Sequence, residues 1–261
     1  MKRIGISMES VSVIFLSVSL FAVFFVALAK AGFGGMIGSL AMPLVATVSD
    51  IQTAISVLLP TYVVMDLFIA WTYRKSVPYN FLWPMAISGI IGVIIAAFVF
   101  ALIDPEYLSF LLGTMSLAIG LNFIFKRITN RQKHIISKDP NEREWIRLMG
   151  LNGASGFSSF FLMGEAPVQM FILPYKLPPK VFVATLVWFF CIINWAKVPV
   201  VIQLGLISRE TLWISLLLFP AMPFGIYLGK KINDTIPKEP FYFIIHVLLL
   251  MIGGFLIFQS F

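Results

Sequence analysis

The sequence predicts an all-α integral membrane protein of two inverted-topology helical repeats, with broken or re-entrant helices at the first segment of each half. Three observations lead there. Hydrophobic residues fill 59% of the 261 positions and charged residues only 12%, far below the roughly 25% of a soluble domain. Apolar runs recur at the length of about 20 residues that crosses a hydrocarbon core of about 30 Å. One long polar stretch, Lys126–Glu144, separates two halves that resemble each other.

Uninterrupted spans are expected at Ser10–Ala29, Ile51–Tyr73, Tyr79–Ile103, Tyr107–Phe125, Val181–Ile207, Thr211–Gly229 and Phe241–Phe258. Two regions are interrupted. Ala31–Ser49 carries Gly32, Gly34, Gly35, Gly38 and Pro43; Trp145–Tyr175 carries Gly150, Gly153, Gly156, Gly164, Pro167 and Pro174. Glycine and proline weaken helices. Broken backbone at membrane depth is tolerated only inside protein or around a wet cavity. The helix breaks are therefore placed at Pro43, Gly164, Pro167 and Pro174.

An internal duplication accounts for the likeness of the halves. Leu102–Phe125 aligns with Thr235–Phe258, matching Glu106 with Glu239 and Gly120 with Gly253, and a similar register pairs Pro43 with Pro174 and Asp66 with Lys197. Charge sets the parity of crossings. If each broken region crossed once, Lys176, Lys180, Lys230, Lys231 and Lys238 would face the side poorer in Lys and Arg. If each half crosses an odd number of times, Lys2, Arg3 and Arg209 alone sit opposite the rest, leaving aside Lys30 and the intramembrane Lys197. The positive-inside rule prefers the second arrangement. Residues 1–125 are thus the first transmembrane repeat, 126–144 a cytoplasmic linker loop and 145–261 the second repeat. Both termini lie outside, and the chain spans the cytoplasmic membrane of the cell. Lys2, Arg3 and the apolar run ending "ALAKA" also fit a cleaved leader, but the run is longer than a leader core.

The net charge of +7 reads as basic cytoplasmic loops and not as a nucleic-acid surface. Cys191 is the single cysteine, so no internal disulfide forms. There is no Ser/His/Asp set, no paired catalytic carboxylates and no cofactor motif. An enzyme is not expected, nor a cofactor or a metal. His246 stands alone in "FYFIIHVLLL", and His134 lies in the polar loop.

Candidate chemistry rests on ionisable groups within apolar sequence, which are costly at the bilayer centre and face a cavity or a partner. Lys197 sits in "NWAK", with Asn194 at i and the lysine at i+3 on one helix face. The pair suits an anion site, or Lys197 is the ion-pair partner of Asp66 or Glu165. Asp66 stands eight residues before Arg74, roughly 12 Å at helical rise, below the interface. Glu165, in "GEAP", relays a proton or caps the helix that follows it. Lys30 snorkels to the interface, or lies deeper beside the glycine turn. The glycines at Gly34 and Gly35 expose backbone N–H groups to an anion or serve close helix packing.

In "GFGGMIGSLAMPLV", "GLNGASGFSSFFLMGEAPVQMFILPY", "ATLVWFFCIINWAKVPVVIQLGLIS" and "FPAMPFGIYLGKKI", taken in order, the chain resembles the sulfite exporter TauE/SafE family of membrane permeases, from about Ala29 to Phe258. The resemblance implies a transporter of a small anion such as sulfite or an organosulfonate. It maps the family's glycine-rich segments to Gly32–Gly38 and Gly164–Pro167, and a T…N..K pattern to Thr185, Asn194 and Lys197. "GEAP" departs from the glycines common at that place, which bears on substrate identity. The expected site therefore joins Lys197, Asn194, Thr185, Gly34, Gly35 and Lys30 around the anion, with Asp66 or Glu165 pairing Lys197 or carrying a coupling ion. Expected partners are a small anion, the bilayer, a coupling proton or cation, and a second copy of the chain. An anion channel and a non-transporting interaction or sensor subunit are the rival readings.

Overall fold

The computed structural model describes residues 13–33, 38–129, 142–172, 175, 177–232 and 238–260. Gly34, Gly35, Pro174, His134, Lys2, Arg3 and most of the predicted linker lie outside them. Among the described residues there is helix and no strand. Five helical stretches are long and apolar enough to cross a membrane: Val13–Gly32, Ile51–Ser76, Tyr79–Leu102, Lys180–Gln203 and Arg209–Lys231.

Helix α1 (Val13–Phe33) is followed by a short 3-10 turn (Gly38–Leu40) and the six-residue α2 (Ala41–Ala46). Helix α3 (Ile51–Tyr73) starts at Asp50, whose carboxylate accepts from the Thr53 N–H at 2.8 Å, a standard N-cap. Helix α4 (Tyr79–Leu102) and α5 (Pro105–Ile128) complete the first half. The second half repeats the order: α6 (Glu142–Phe160), the short α7 (Glu165–Ile172), α8 (Pro179–Gln203), then α9 (Arg209–Leu218), α10 (Ala221–Ile232) and α11 (Lys238–Gln259). Helices α5 and α6 reach into the predicted linker at both of its ends.

Pro43 and Pro167, two of the expected breaks, do not break helices where they stand. Pro43, Pro167 and Pro223 each occupy the third residue of a short helix, α2, α7 and α10. The first turn has no intrahelical acceptor for its N–H groups, so proline costs little there. They stand in the first turn of the short helices; the described breaks lie upstream of α7, at Phe161–Gly164, and of α10, at Phe219–Pro220.

The predicted single span Thr211–Gly229 is one such case. It is divided at Phe219–Pro220 into α9 and α10. Pro220 cannot continue α9's hydrogen bonding, and the bend lets α9 pack on α3 while α10 packs on α1.

Helices α3 and α8 cross at the centre and are the most buried of the five spans. Around them the packing is reciprocal: α1 lies on α10 as α6 lies on α4, and α5 lies on α11. Hydrophobic burial does not pull helices together in lipid, so close van der Waals approach must. Glycines supply it. A Cβ on Gly156 would lie 1.8 Å from the Gly89 carbonyl oxygen, and one on Gly92 2.0 Å from that of Gly153. On the other side, a Cβ on Gly229 would meet the Leu28 carbonyl oxygen at 2.4 Å. Large apolar side chains, among them Phe68, Trp71, Phe98 and Phe224, stay exposed on the outer faces, where a bilayer covers them.

Gly156→Ala is expected to lower unfolding stability by about 1–3 kcal/mol, the usual cost of overpacking. Gly254, with open space around it, tolerates Ala within about 0.5 kcal/mol. Thermal unfolding of both variants in detergent checks the contrast.

Candidate functional site

The site forms where the segments beyond α1 and α6 meet the crossing of α3 and α8. Its second-half wall is the break between α6 and α7. There the Met163 N–H donates to the Ser158 carbonyl at 3.0 Å and the Leu162 N–H to the Ser159 carbonyl at 2.8 Å. These two bonds make a Schellman turn, whose penultimate residue is left-handed and usually glycine. Here it is Leu162, at φ 57°, an uncommon conformation for a residue with a Cβ. Gly164 serves close approach instead: a Cβ on it would lie 2.6 Å from the Ser159 Cβ and 2.7 Å from the Ser155 carbonyl oxygen.

Lys197, fully buried, reaches this turn from α8. Its ammonium donates to the Ser159 carbonyl at 2.6 Å and to the Ser159 hydroxyl at 3.1 Å. A cation is favourable at a helix C-terminus, where the last carbonyls lack partners. Lys197 is therefore the cap of α6. The expectation that Asp66 or Glu165 holds it is corrected: Lys30 occupies Asp66 instead, at 2.5 Å. Helix α1 carries Lys30 deep enough to be 3% exposed, so it does not snorkel.

Asp66 is shared. Its second oxygen accepts from the Asn194 side-chain amide at 2.5 Å. The Lys30 ammonium also lies 4.8 Å from the Tyr62 ring centroid and 5.7 Å from that of Phe190, within cation–π reach. Glu165 opens α7, where the helix dipole favours a carboxylate, and it accepts from the Ser39 hydroxyl at 2.6 Å. A Cβ on Gly38 would stand 2.5 Å from the Glu165 Oε1, so the carboxyl seats against bare backbone of the opposite half.

Lys30, Tyr62, Ser159, Leu162, Gly164, Glu165, Phe190 and Asn194 line one small cavity, with room for about one water molecule. Lys197 stands behind its Ser159 wall. Thr185 is not brought there: its hydroxyl donates to the Val181 carbonyl of its own helix at 2.7 Å, and nine residues of helix, about 13 Å, separate it from Asn194. Sequence reasoning passed over Tyr62, Ser39 and Ser159. Their signal was weak, because a tyrosine or serine in an apolar helix is costly only once its surroundings are known. Among the described residues no group of His, Cys, Asp and Glu is placed to hold a metal.

The model of the TauE family, sulfite exporter TauE/SafE, matches residues 19–256, nearly the whole chain. The chain belongs to the TauE/SafE family. Comparison with characterised proteins and with solved structures adds no match. TauE/SafE proteins are sulfite and anion exporters, transporters and not enzymes, and the apolar helices make this member a multi-pass membrane protein. In this TauE/SafE chain, two ammonium groups and two carboxylates are buried together in or beside one cavity.

Asp66→Asn leaves Lys30 without its counter-charge and is expected to cost about 3–5 kcal/mol, as for breaking any buried pair. Lys30→Met with Asp66→Asn removes both charges and costs less than Asp66→Asn alone. Denaturant unfolding of the two purified variants in detergent decides it.

Proposed function

We propose that the protein is a permease of the cytoplasmic membrane that moves a small sulfur oxyanion, such as sulfite or an organosulfonate, by alternating access through this cavity. The observation that carries the reading is the placement of Lys30: a buried ammonium on a cavity walled by both halves, held by a carboxylate that an incoming anion can replace. Membership of the TauE/SafE family supports the same substrate class. Asn194 tethers Asp66 when the anion displaces it from Lys30, and Lys197 holds the α6 end that forms the wall.

Glu165 lines the same cavity with the Ser39 hydroxyl as its hydrogen-bond partner, and among the described residues no ammonium stands within ion-pair distance of it. Lys30, Lys197, Asp66 and the Tyr62 phenol are the other titratable groups around it. An anion and an ionised Glu165 repel each other across a few ångströms of low dielectric. The anion therefore binds with Glu165 protonated, and one proton accompanies each turnover. The reciprocal packing of α1 on α10 and α6 on α4 is the pattern two inverted repeats would make, and rocking of one half against the other would expose the cavity to each side in turn. Residues 126–144 face the cytoplasm in this reading. A space that holds about one water favours a permease over an open channel.

Proteoliposome flux of methanesulfonate, whose charge is constant over the accessible pH range, tests both parts. Wild-type flux is expected to saturate, and Lys30→Met with Asp66→Asn to reduce it at least about tenfold, the worth of one hydrogen bond to a charged group. A wild type that carries neither methanesulfonate nor sulfite overturns the reading, as does the double variant transporting at wild-type rates.

The pH sign follows from the proton on Glu165. Apparent affinity rises as pH falls through its titration, by up to about tenfold per unit for one linked proton. Glu165→Gln is expected to bind methanesulfonate with a flat pH profile. A wild-type profile that is already flat removes the proton from the scheme.

A further inference from the structure

Four buried side-chain atoms have no hydrogen-bond partner among the described residues: Ser19 Oγ, Tyr62 Oη, Asn152 Oδ1 and Gln169 Nε2. Leaving a buried donor unpaired costs about 1–3 kcal/mol, so each such group calls for a reason. Tyr62 differs from the other three because it lines the cavity. It is 2% exposed, and its ring lies under the Lys30 ammonium. Phenylalanine would supply that ring face and the apolar packing equally well. The hydroxyl is what phenylalanine lacks, and nothing among the described residues uses it.

Ser159, on the opposite half, has a second uncommitted proton. Its Oγ accepts from Lys197, and an ammonium can only donate. Among the described residues nothing accepts the serine's own O–H, in a residue that also lines the cavity. With Lys30, three donors from α1, α3 and α6 surround one space. A sulfite or sulfonate group presents three acceptor oxygens.

We propose that Tyr62 is a direct ligand of the transported oxyanion, donating its hydroxyl to one oxygen while the Ser159 hydroxyl donates to another from the facing half. This inference rests on the anion-permease reading above and deepens it. One ligand from each half makes the anion itself a bridge between the repeats, so its arrival favours closure of the cavity around it. Tyr62 has a double use: the ring face steadies Lys30 while the Asp66 bond is being exchanged, and the hydroxyl meets the anion.

The test is calorimetric titration of methanesulfonate into the purified full-length protein in detergent, for wild type, Tyr62→Phe and Ser19→Ala. Ser19→Ala removes another unpaired buried hydroxyl, on α1 away from the cavity lining. Tyr62→Phe is expected to weaken binding about tenfold with the unfolding midpoint held, and Ser19→Ala to leave the affinity unchanged. Equal affinities for wild type and Tyr62→Phe overturn the ligand role while leaving the permease reading standing. Equal weakening by both variants overturns it too, since the loss would then follow any buried hydroxyl. A wild type that binds neither methanesulfonate nor sulfite overturns the anion reading and this inference together.

Discussion

The break between α6 and α7 is the constraint on which the rest of the site depends. A helix that stops inside a membrane leaves carbonyls on one side and N–H groups on the other with no water to satisfy them. Here both ends are answered by buried charge. Lys197 donates to the carbonyl end of α6 at Ser159, and Glu165 supplies a carboxylate at the amino end of α7. Each charge is tolerated at its own helix end through the dipole there, and among the described residues no ion pair joins the two. The turn also brings Leu162, Gly164 and Glu165 to one wall of the cavity.

The first half answers with a different device. Lys30 and Asp66 neutralise one another and Asn194 satisfies the remaining carboxylate oxygen. Buried pairs of this kind add little net stability, because desolvation consumes most of the attraction. In the reading proposed above, their value lies in being exchangeable. An anion of matching charge can take the carboxylate's place at small net cost, whereas an apolar pair would offer it nothing. In the reading proposed above, the charges that cost the fold stability are those that would make an anion cavity workable.

Such a cavity requires that the helices around it be held without a hydrophobic driving force. Glycine contacts between α4 and α6, and between α1 and α10, do this by bringing backbones together. They leave α3 and α8 crossing at the centre, so that Asp66 and Asn194 face each other across the two halves.

Much was legible in the sequence because bilayer physics acts on composition. Long apolar runs, the polar divide and the glycine and proline clusters determined a helical membrane protein with a broken helix in each half. The Schellman end of α8 could be read from Gly205, which stands at φ 70°. The corresponding turn at Leu162 could not, since leucine gives no sign of a left-handed backbone. The buried ionisable residues were also legible, because each is costly in hydrocarbon wherever it goes. Which of them meet was not. Asp66 and Lys197 correspond in the expected duplication, yet Lys30 took the carboxylate and Lys197 took a helix end. Helix rotation and crossing angle set those partners, and they are settled by glycine contacts far along the chain. Tyr62 shows the same limit: its hydroxyl means nothing in an apolar string and acquires meaning only when α1, α6 and α8 close around it. The sequence by itself determined which groups would have to be buried; only the tertiary structure decided whom each would face, because that choice is made by packing between helices remote in the chain.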